Sequence, residues 1–202
     1  MTAAEIESAV TDAGLQPLTP EIVGRFLAYL ELLQKWNARL NLTAIREPEE
    51  ILHLHFIECI FAAQHLPPGI HTLLDFGSGG GFPGVPIALC RPEIHVTLGE
   101  SQIRKAAFLR EATRTLDLSN ADVFNGRVEA LERIFDAVTL RAVDKMQEAC
   151  RTAIQRVAAG GRLALFATGE TAPSLQFDQI SWSPSIPLPG SSQRLLLIGR
   201  RG

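Results

Sequence analysis

Apolar positions recur along this chain at two different periods, and the change from one to the other falls near residue 70. Before it the spacing is helical. Thr2 and Glu5 form a capping-box pattern that opens a helix over 3–13, and Gly14 stops it. Thr19, as N-cap, and Pro20, in the first turn, start a second helix, whose apolar face is Ile22, Phe26, Leu30, Leu33 and Leu40. Glu47-Pro48-Glu49-Glu50 begins a third helix with its acids at the positive end, and Ile51, Leu54, Ile57, Cys59 and Phe61 supply its apolar contacts. Leu66-Pro67-Pro68-Gly69 then breaks the pattern. Residues 1–68 read as a helical extension packed on a core unit spanning 69–202.

Beyond the break, short apolar runs alternate with helical stretches. The pattern predicts strands over 72–76, 94–99, 121–125, 135–140 and 162–167. Helices are predicted from Pro83 to Leu89 and over 102–116 and 144–158, with a short one near 128–133 and a stop at Gly160-Gly161. This alternation implies right-handed crossovers and a mostly parallel sheet, an α/β fold. The last two strands, 179–183 and 193–198, leave no room for a crossover helix, so they should pair antiparallel as a C-terminal hairpin.

The first strand ends in chemistry. Leu73-Leu74-Asp75-Phe76 runs into Gly77-Ser78-Gly79-Gly80-Gly81-Phe82-Pro83-Gly84, a glycine loop where open α/β sheets bind nucleotide-like ligands. The loop has two glycine registers. Gly79-x-Gly81-x-x-Gly84 fits a dinucleotide fingerprint and a nicotinamide oxidoreductase. It starts two residues late, however, and Phe82-Pro83 would crowd a pyrophosphate. Asp75-x-Gly77-x-Gly79-x-Gly81 suits a ligand carrying a sulfonium and a carboxylate without phosphate.

Other candidates follow the strand ends. Glu100, after the second strand, is placed to accept from ribose hydroxyls, with Ser101 as a helix N-cap and Gln102 at the same opening. Arg127-Val128-Glu129 follows the third strand, Val128 offering an apolar face to a base and Glu129 a polar contact; a solvated helix start accounts for Glu129 equally well. Arg141 ends the fourth strand at the sheet's carboxyl edge. The five histidines lack metal-ligand spacing, so no metal site is expected. A parallel sheet finished by an antiparallel hairpin is the arrangement of methyltransferases that use a sulfonium cofactor. With neither an Asn-Pro-Pro-Tyr loop for an exocyclic amine nor a Pro-Cys nucleophile present, a methyl acceptor with its own lone pair suits such a site best.

Composition adds limits. The net charge of -3 is not that of a protein held to polyanions by bulk electrostatics. The charge is uneven: residues 1–70 carry four basic and nine acidic side chains, and 140–202 carry eight and four, which directs any RNA-facing surface to the second half. Sixteen of the 19 basic residues are Arg, a bias that suits forked phosphate contacts and that genome composition explains as simply. Cys59, Cys90 and Cys150 suggest neither a disulfide framework nor zinc. No leader or membrane span is read, so a cytoplasmic monomer is expected.

Lys35-Trp36-Asn37, Asn41-Leu42-Thr43, the Gly-Ser-Gly-Gly-Gly-Phe-Pro-Gly loop, Arg127-Val128-Glu129 and Leu140-Arg141-Ala142 together resemble the ribosomal small-subunit RNA methyltransferase G family, over about residues 25–200. The resemblance implies a class I S-adenosylmethionine-dependent methyltransferase with a Rossmann-like sheet, acting on guanine N7 in 16S ribosomal RNA or the small ribosomal subunit. It implies that Gly77 and Phe82 line the methionine side, Glu100, Ser101 and Gln102 the ribose, Val128 and Glu129 the adenine, and Arg141 the cleft; Gly79 joins the cofactor-binding set from the glycine register. Arg46, His55 and Arg194 stand at its RNA-facing basic positions. The chain departs from the family pattern at Thr168, where Lys is usual, at Glu58-Cys59, where Asp-Ser is usual, and in a shortened connection after Glu129. A nicotinamide-dependent oxidoreductase and a non-catalytic RNA-binding module are the alternatives.

Overall fold

The computed structural model describes residues 1–202. Helix α1 (Ala3–Asp12) starts with the capping box, Thr2 Oγ1 accepting from Glu5 N–H at 3.3 Å while the Glu5 carboxylate accepts from Thr2 N–H at 2.6 Å. Helix α2 (Pro20–Leu40) is capped by Thr19 and ends at Asn41, whose left-handed backbone turns the chain away. The third predicted helix is continuous but not uniform. It runs as α3 (Pro48–Ile51), a π-helical stretch (Leu52–Ile57) and α4 (Glu58–His65).

The sheet is built from β1 (Thr72–Phe76), β2 (His95–Glu100), β3 (Ala121–Asn125), β4 (Phe135–Arg141), β5 (Val157–Thr168), β6 (Ile180–Trp182), β7 (Ile186–Pro187) and β8 (Arg194–Arg201). Its order is β3-β2-β1-β4-β5-β8-β6, with β7 also on β8. The first five strands are parallel, and β8 inserts antiparallel between β5 and β6. The connecting helices are α5 (Gly84–Cys90), α6 (Ile103–Thr115) and α7 (Met146–Ile154), and Val128–Ala130 makes one 3-10 turn.

Two expectations need correction. The predicted 144–158 helix stops at Ile154, and Gly160-Gly161 is no stop: it lies inside β5, where the register on β4 jumps between Phe135↔Val157 and Ala137↔Arg162. Gly160 has φ +76° there, so the glycines serve an irregularity in a strand that starts five residues early. The predicted 128–133 helix is only the single 3-10 turn, with β4 following closely.

The N-terminal helices, α5 and α6 share one apolar cluster that runs from Ile6 to Ile198 and covers one sheet face. A second cluster, from Leu74 to Leu197, packs α7 and the segment around Leu175 and Phe177 on the other. The extension is thus welded to the sheet. Tyr29, Phe56 and Phe82 meet as an aromatic group at this joint, with Tyr29–Phe56 centroids 5.4 Å apart and Tyr29–Phe82 5.5 Å apart.

Candidate active site

A cavity of about 490 Å³ opens at the carboxyl ends of the parallel strands. Its walls come from Phe76-Gly77 after β1, Gly99 and Ser101 around the end of β2, Gly126 to Glu129 after β3, and Val143 to Lys145 after β4. This is the topological switch point of the sheet, where β1 lies between β2 and β4. Phe76, Val128 and Val143 give apolar surface, and Ser101, Glu129 and Asp144 give polar groups, a lining of the kind that holds a nucleoside.

The glycines divide by role. Gly77 and Gly79 have φ +71° and +53°; a Cβ on Gly79 would meet nothing closer than the Gly77 carbonyl oxygen at 3.8 Å and one on Gly77 would touch Val143 at 3.4 Å, so both are packed less tightly than Gly81 and Gly84. Gly81 and Gly84 face inward. A Cβ on Gly81 would lie 2.5 Å from Tyr29 Oη, and one on Gly84 would lie 2.7 Å from Asp75 Oδ2. The inward pair is part of the dinucleotide register, and here it serves packing.

Asp75 is 1% exposed. Its Oδ2 accepts from Gly84 N–H at 3.2 Å and its Oδ1 from Thr139 Oγ1 at 2.9 Å, while burial pushes its pKa up to about 6. A carboxylate therefore occupies the amide end of α5 where a pyrophosphate would rest. Glu100, the last residue of β2, accepts from Gly79 N–H at 3.0 Å and from Gln102 N–H at 2.7 Å. One carboxylate thus ties the glycine loop to the start of α6. Ser101 lines the cavity but does not cap α6, whose N-cap is Gln102 without a side-chain bond.

Of the sequence-derived candidates, Gly77, Ser101, Val128 and Glu129 meet at the cavity. Gly79, Glu100 and Gln102 stand just behind it in the shared loop network. Phe82 does not line it: the ring is 8% exposed and stacks on His55 at 4.5 Å. Asn37 also supports this side, its amide exchanging two 3.0 Å bonds with the Thr43 backbone.

The basic candidates behave differently from one another. Arg46 is exposed, reaching Asn41 Oδ1 at 3.4 Å. His55 cannot act as a cation at neutral pH. Its Nε2 sits 2.7 Å from Thr43 Oγ1, and burial, with the nearby Arg141 charge, pushes its pKa down to about 3. Arg141 points away from the cavity lining: it bonds Glu58 Oε2 at 2.8 Å, Cys59 Sγ at 3.0 Å and the Leu54 carbonyl, and lies over the Phe166 ring at 5.0 Å. Arg194 Nε meets the other oxygen of Glu58 at 2.5 Å. Gly99, Val143 and Asp144 are cavity residues the sequence reasoning missed. The left-handed backbones of Ala142 and Lys145, which bring Val143 and Asp144 to the wall, leave no mark in residue type.

The cavity fits S-adenosylmethionine: glycine backbone at one end, apolar walls and polar groups at the other, with the start of α5 nearby already occupied by the Asp75 carboxylate. No helix is long and apolar enough to cross a membrane. The ribosomal RNA small subunit methyltransferase G of Methylobacillus flagellatus is 41% identical over 144 residues, covering 70% of this chain and 69% of that protein. The protein of the same name from Neisseria meningitidis is 43% identical over 125 residues, covering 61% and 60%. Among solved structures, the ribosomal protein L11 methylase of Lactobacillus delbrueckii superposes with TM-score 0.60 at 9% identity, covering 72% of this chain and 78% of that one, a likeness of fold. The family model for rRNA small subunit methyltransferase G matches residues 23–179, and the chain belongs to that family.

Proposed function

We infer that this chain is an S-adenosylmethionine-dependent methyltransferase that methylates guanine N7 in 16S ribosomal RNA. The observation that carries the reading is the cavity at the switch point, bounded by a loop whose outward glycines are loosely packed and whose inward helix start is occupied by Asp75. Bound there, the cofactor supplies an electrophilic methyl group on a sulfonium.

The chain's own residues hold and orient. Gly77 and Gly79 let the backbone approach the amino-acid end. Glu100, already fixed by two amides, keeps lone pairs for ribose hydroxyls beside the cavity. Val128 packs on the adenine and Glu129 offers it a polar contact. Guanine N7 carries a free lone pair at neutral pH, so no side chain has to remove a proton, and acceleration comes from alignment and exclusion of water. Arg46, exposed in the N-terminal extension, faces the RNA. N7 lies on an edge that A-form RNA buries, so the target base must be unpaired or extruded.

The test is methyl transfer from labelled S-adenosylmethionine to small ribosomal subunits and to naked 16S RNA. Label in 7-methylguanosine is expected, and its absence from both substrates rejects the reading. A nicotinamide enzyme would instead be stabilised by NAD and not by S-adenosylhomocysteine, which thermal shift distinguishes.

A further inference from the structure

The uneven charge along the sequence directs RNA to the second half of the chain, but most of the cations there are engaged by carboxylates or lie away from the cavity. Arg141 and Arg194 are both held by Glu58, and Lys145 pairs with Glu148 at 3.4 Å. Arg162 starts the part of β5 aligned with Ala137, and it is paired with Arg200 at the far end of antiparallel β8. These arginines, with Arg201, therefore lie at the amino edge of the parallel strands, opposite the cavity. Arg162 and Arg201 bond main-chain carbonyls there.

Free cations gather elsewhere. Helices α2 and α6 pack through Trp36 and Phe108, whose rings meet edge-on at 5.9 Å. The glycine loop adjoins the end of α2, the Leu42 carbonyl lying 3.5 Å from where a Gly80 Cβ would stand. It also adjoins the start of α6, through the Glu100 bonds to Gly79 and Gln102. The two helices therefore run antiparallel, with the Trp36–Phe108 contact about one turn in from their loop-side ends. At that end stand Lys35 and Arg39 on α2 and Arg104 and Lys105 on α6, none of them in an ion pair. The nearest carboxylates on these helices, Glu31 and Glu111, lie about one turn beyond the contact on the other side. Ile103, 74% exposed, begins α6 beside the cavity mouth, and Trp36 forms one side of a small groove with Lys35 and Arg39.

We propose that the loop-side end of the α2–α6 seam is the surface that grips the sugar-phosphate backbone of the RNA substrate next to the target base. Unpaired cations interleaved with an aromatic and an exposed aliphatic side chain suit a chain of phosphates and splayed bases. The acidic side chains Glu5, Asp12, Glu47, Glu49 and Glu50 surround a separate cavity of about 640 Å³ beside α1. A surface divided in this way docks a polyanion in one orientation.

This inference deepens the proposed function and rests on it for the identity of the RNA. The experiment compares wild type with the double variants K35Q/R39Q and R104Q/K105Q, and with R25Q at the far end of α2 as control. Binding to 16S RNA is measured against salt, alongside methyl-transfer kinetics on small subunits. Each double variant is expected to lower the magnitude of the logarithmic salt slope by about 1 to 2 and to raise KM about ten-fold. S-adenosylhomocysteine affinity, kcat and R25Q should stay at wild-type values. Unchanged binding and salt slope in both double variants overturn the proposal. So does weaker binding to subunits with unchanged binding to naked RNA, which would assign the seam to a ribosomal protein. Loss of RNA binding in the variants, with no methyl transfer by wild type, would reject the enzymatic reading and uphold the surface.

Discussion

Glu58 and Arg141, 83 positions apart, form a 2.8 Å ion pair in which the carboxylate is wholly shielded from water. The same carboxylate receives Arg194 from β8 at 2.5 Å, so one acid joins α4, the end of β4 and the start of the last strand. Removing its charge leaves the largely buried Arg141 guanidinium without its counter-ion and facing Arg194, which is partly open to solvent. Glu58→Gln is expected to destabilise the fold by about 3–5 kcal/mol, read as a lower urea midpoint at unchanged m-value. A loss below about 1 kcal/mol would show that the two arginines find water instead.

Acid should act on this protein through two opposing groups. The His55 pKa, pushed down to about 3, favours the neutral ring in the folded state, so the stability His55 contributes is present above 6.5 and is lost as pH falls. Asp75 is raised from 3.8 to about 6, so its contribution is present below 3.8 and is lost as pH rises through 6. Between 3.8 and 6 the two slopes, each up to about 1.4 kcal/mol per pH unit, oppose one another. Relative to wild type, Asp75→Asn should lose stability more steeply on acidification in that window, and His55→Gln should lose it less steeply. Denaturant melts at several pH values check both signs.

Gly79 and Gly81, two positions apart, should respond very differently to a methyl group. Gly79→Ala meets open space and bears only the left-handed backbone, about 1–2 kcal/mol. Gly81→Ala adds a clash with Tyr29 and Val85 to the same backbone strain and is expected to cost about 3 kcal/mol or more. Thermal denaturation of the two variants side by side gives the contrast.

Tyr29 donates its buried hydroxyl to the Gly80 carbonyl, a hydrogen bond from the N-terminal extension to the cofactor loop. Tyr29→Phe keeps the ring and strands the carbonyl, an expected loss of about 1–2 kcal/mol. Because the loop borders the cavity, S-adenosylhomocysteine affinity measured by calorimetry should fall as well. Unaltered affinity would show that the loop holds its shape without this bond.

Local signals were the legible ones. Strand ends at Phe76 and Asn125, the capping box at Thr2 and the N-cap Thr19 all rest on residues within one turn of each other, and the structure has them as read. Gly77, Ser101, Val128 and Glu129 share the cavity because they follow strand ends of one parallel sheet, so adjacency was implied by topology. The family resemblance points to Phe82 and the strand-end position to Arg141 as site groups, and neither lines the cavity. Their actual partners, His55 and Glu58, come from a helix whose rotation no periodicity reveals. Charge was misleading for a related reason: ion pairing such as Glu58 with Arg194 spans 136 positions, and only the fold shows which cations it leaves unpaired.

The π-helical stretch Leu52–Ile57 gives that rotation a history. A π segment is what an α-helix becomes when it absorbs one added residue, and each residue turns the helix by about 100°. Everything after it is swung round by that angle, which is how Glu58 and Cys59 come to face Arg141 while Leu54 turns its carbonyl to the same guanidinium. Winding 52–57 as an ordinary α-helix with no residue removed would carry Glu58 off the arginines, whereas deleting one residue there would leave Glu58 facing them. The arginine clamp is in this sense a product of how the helix is wound rather than of any one side chain.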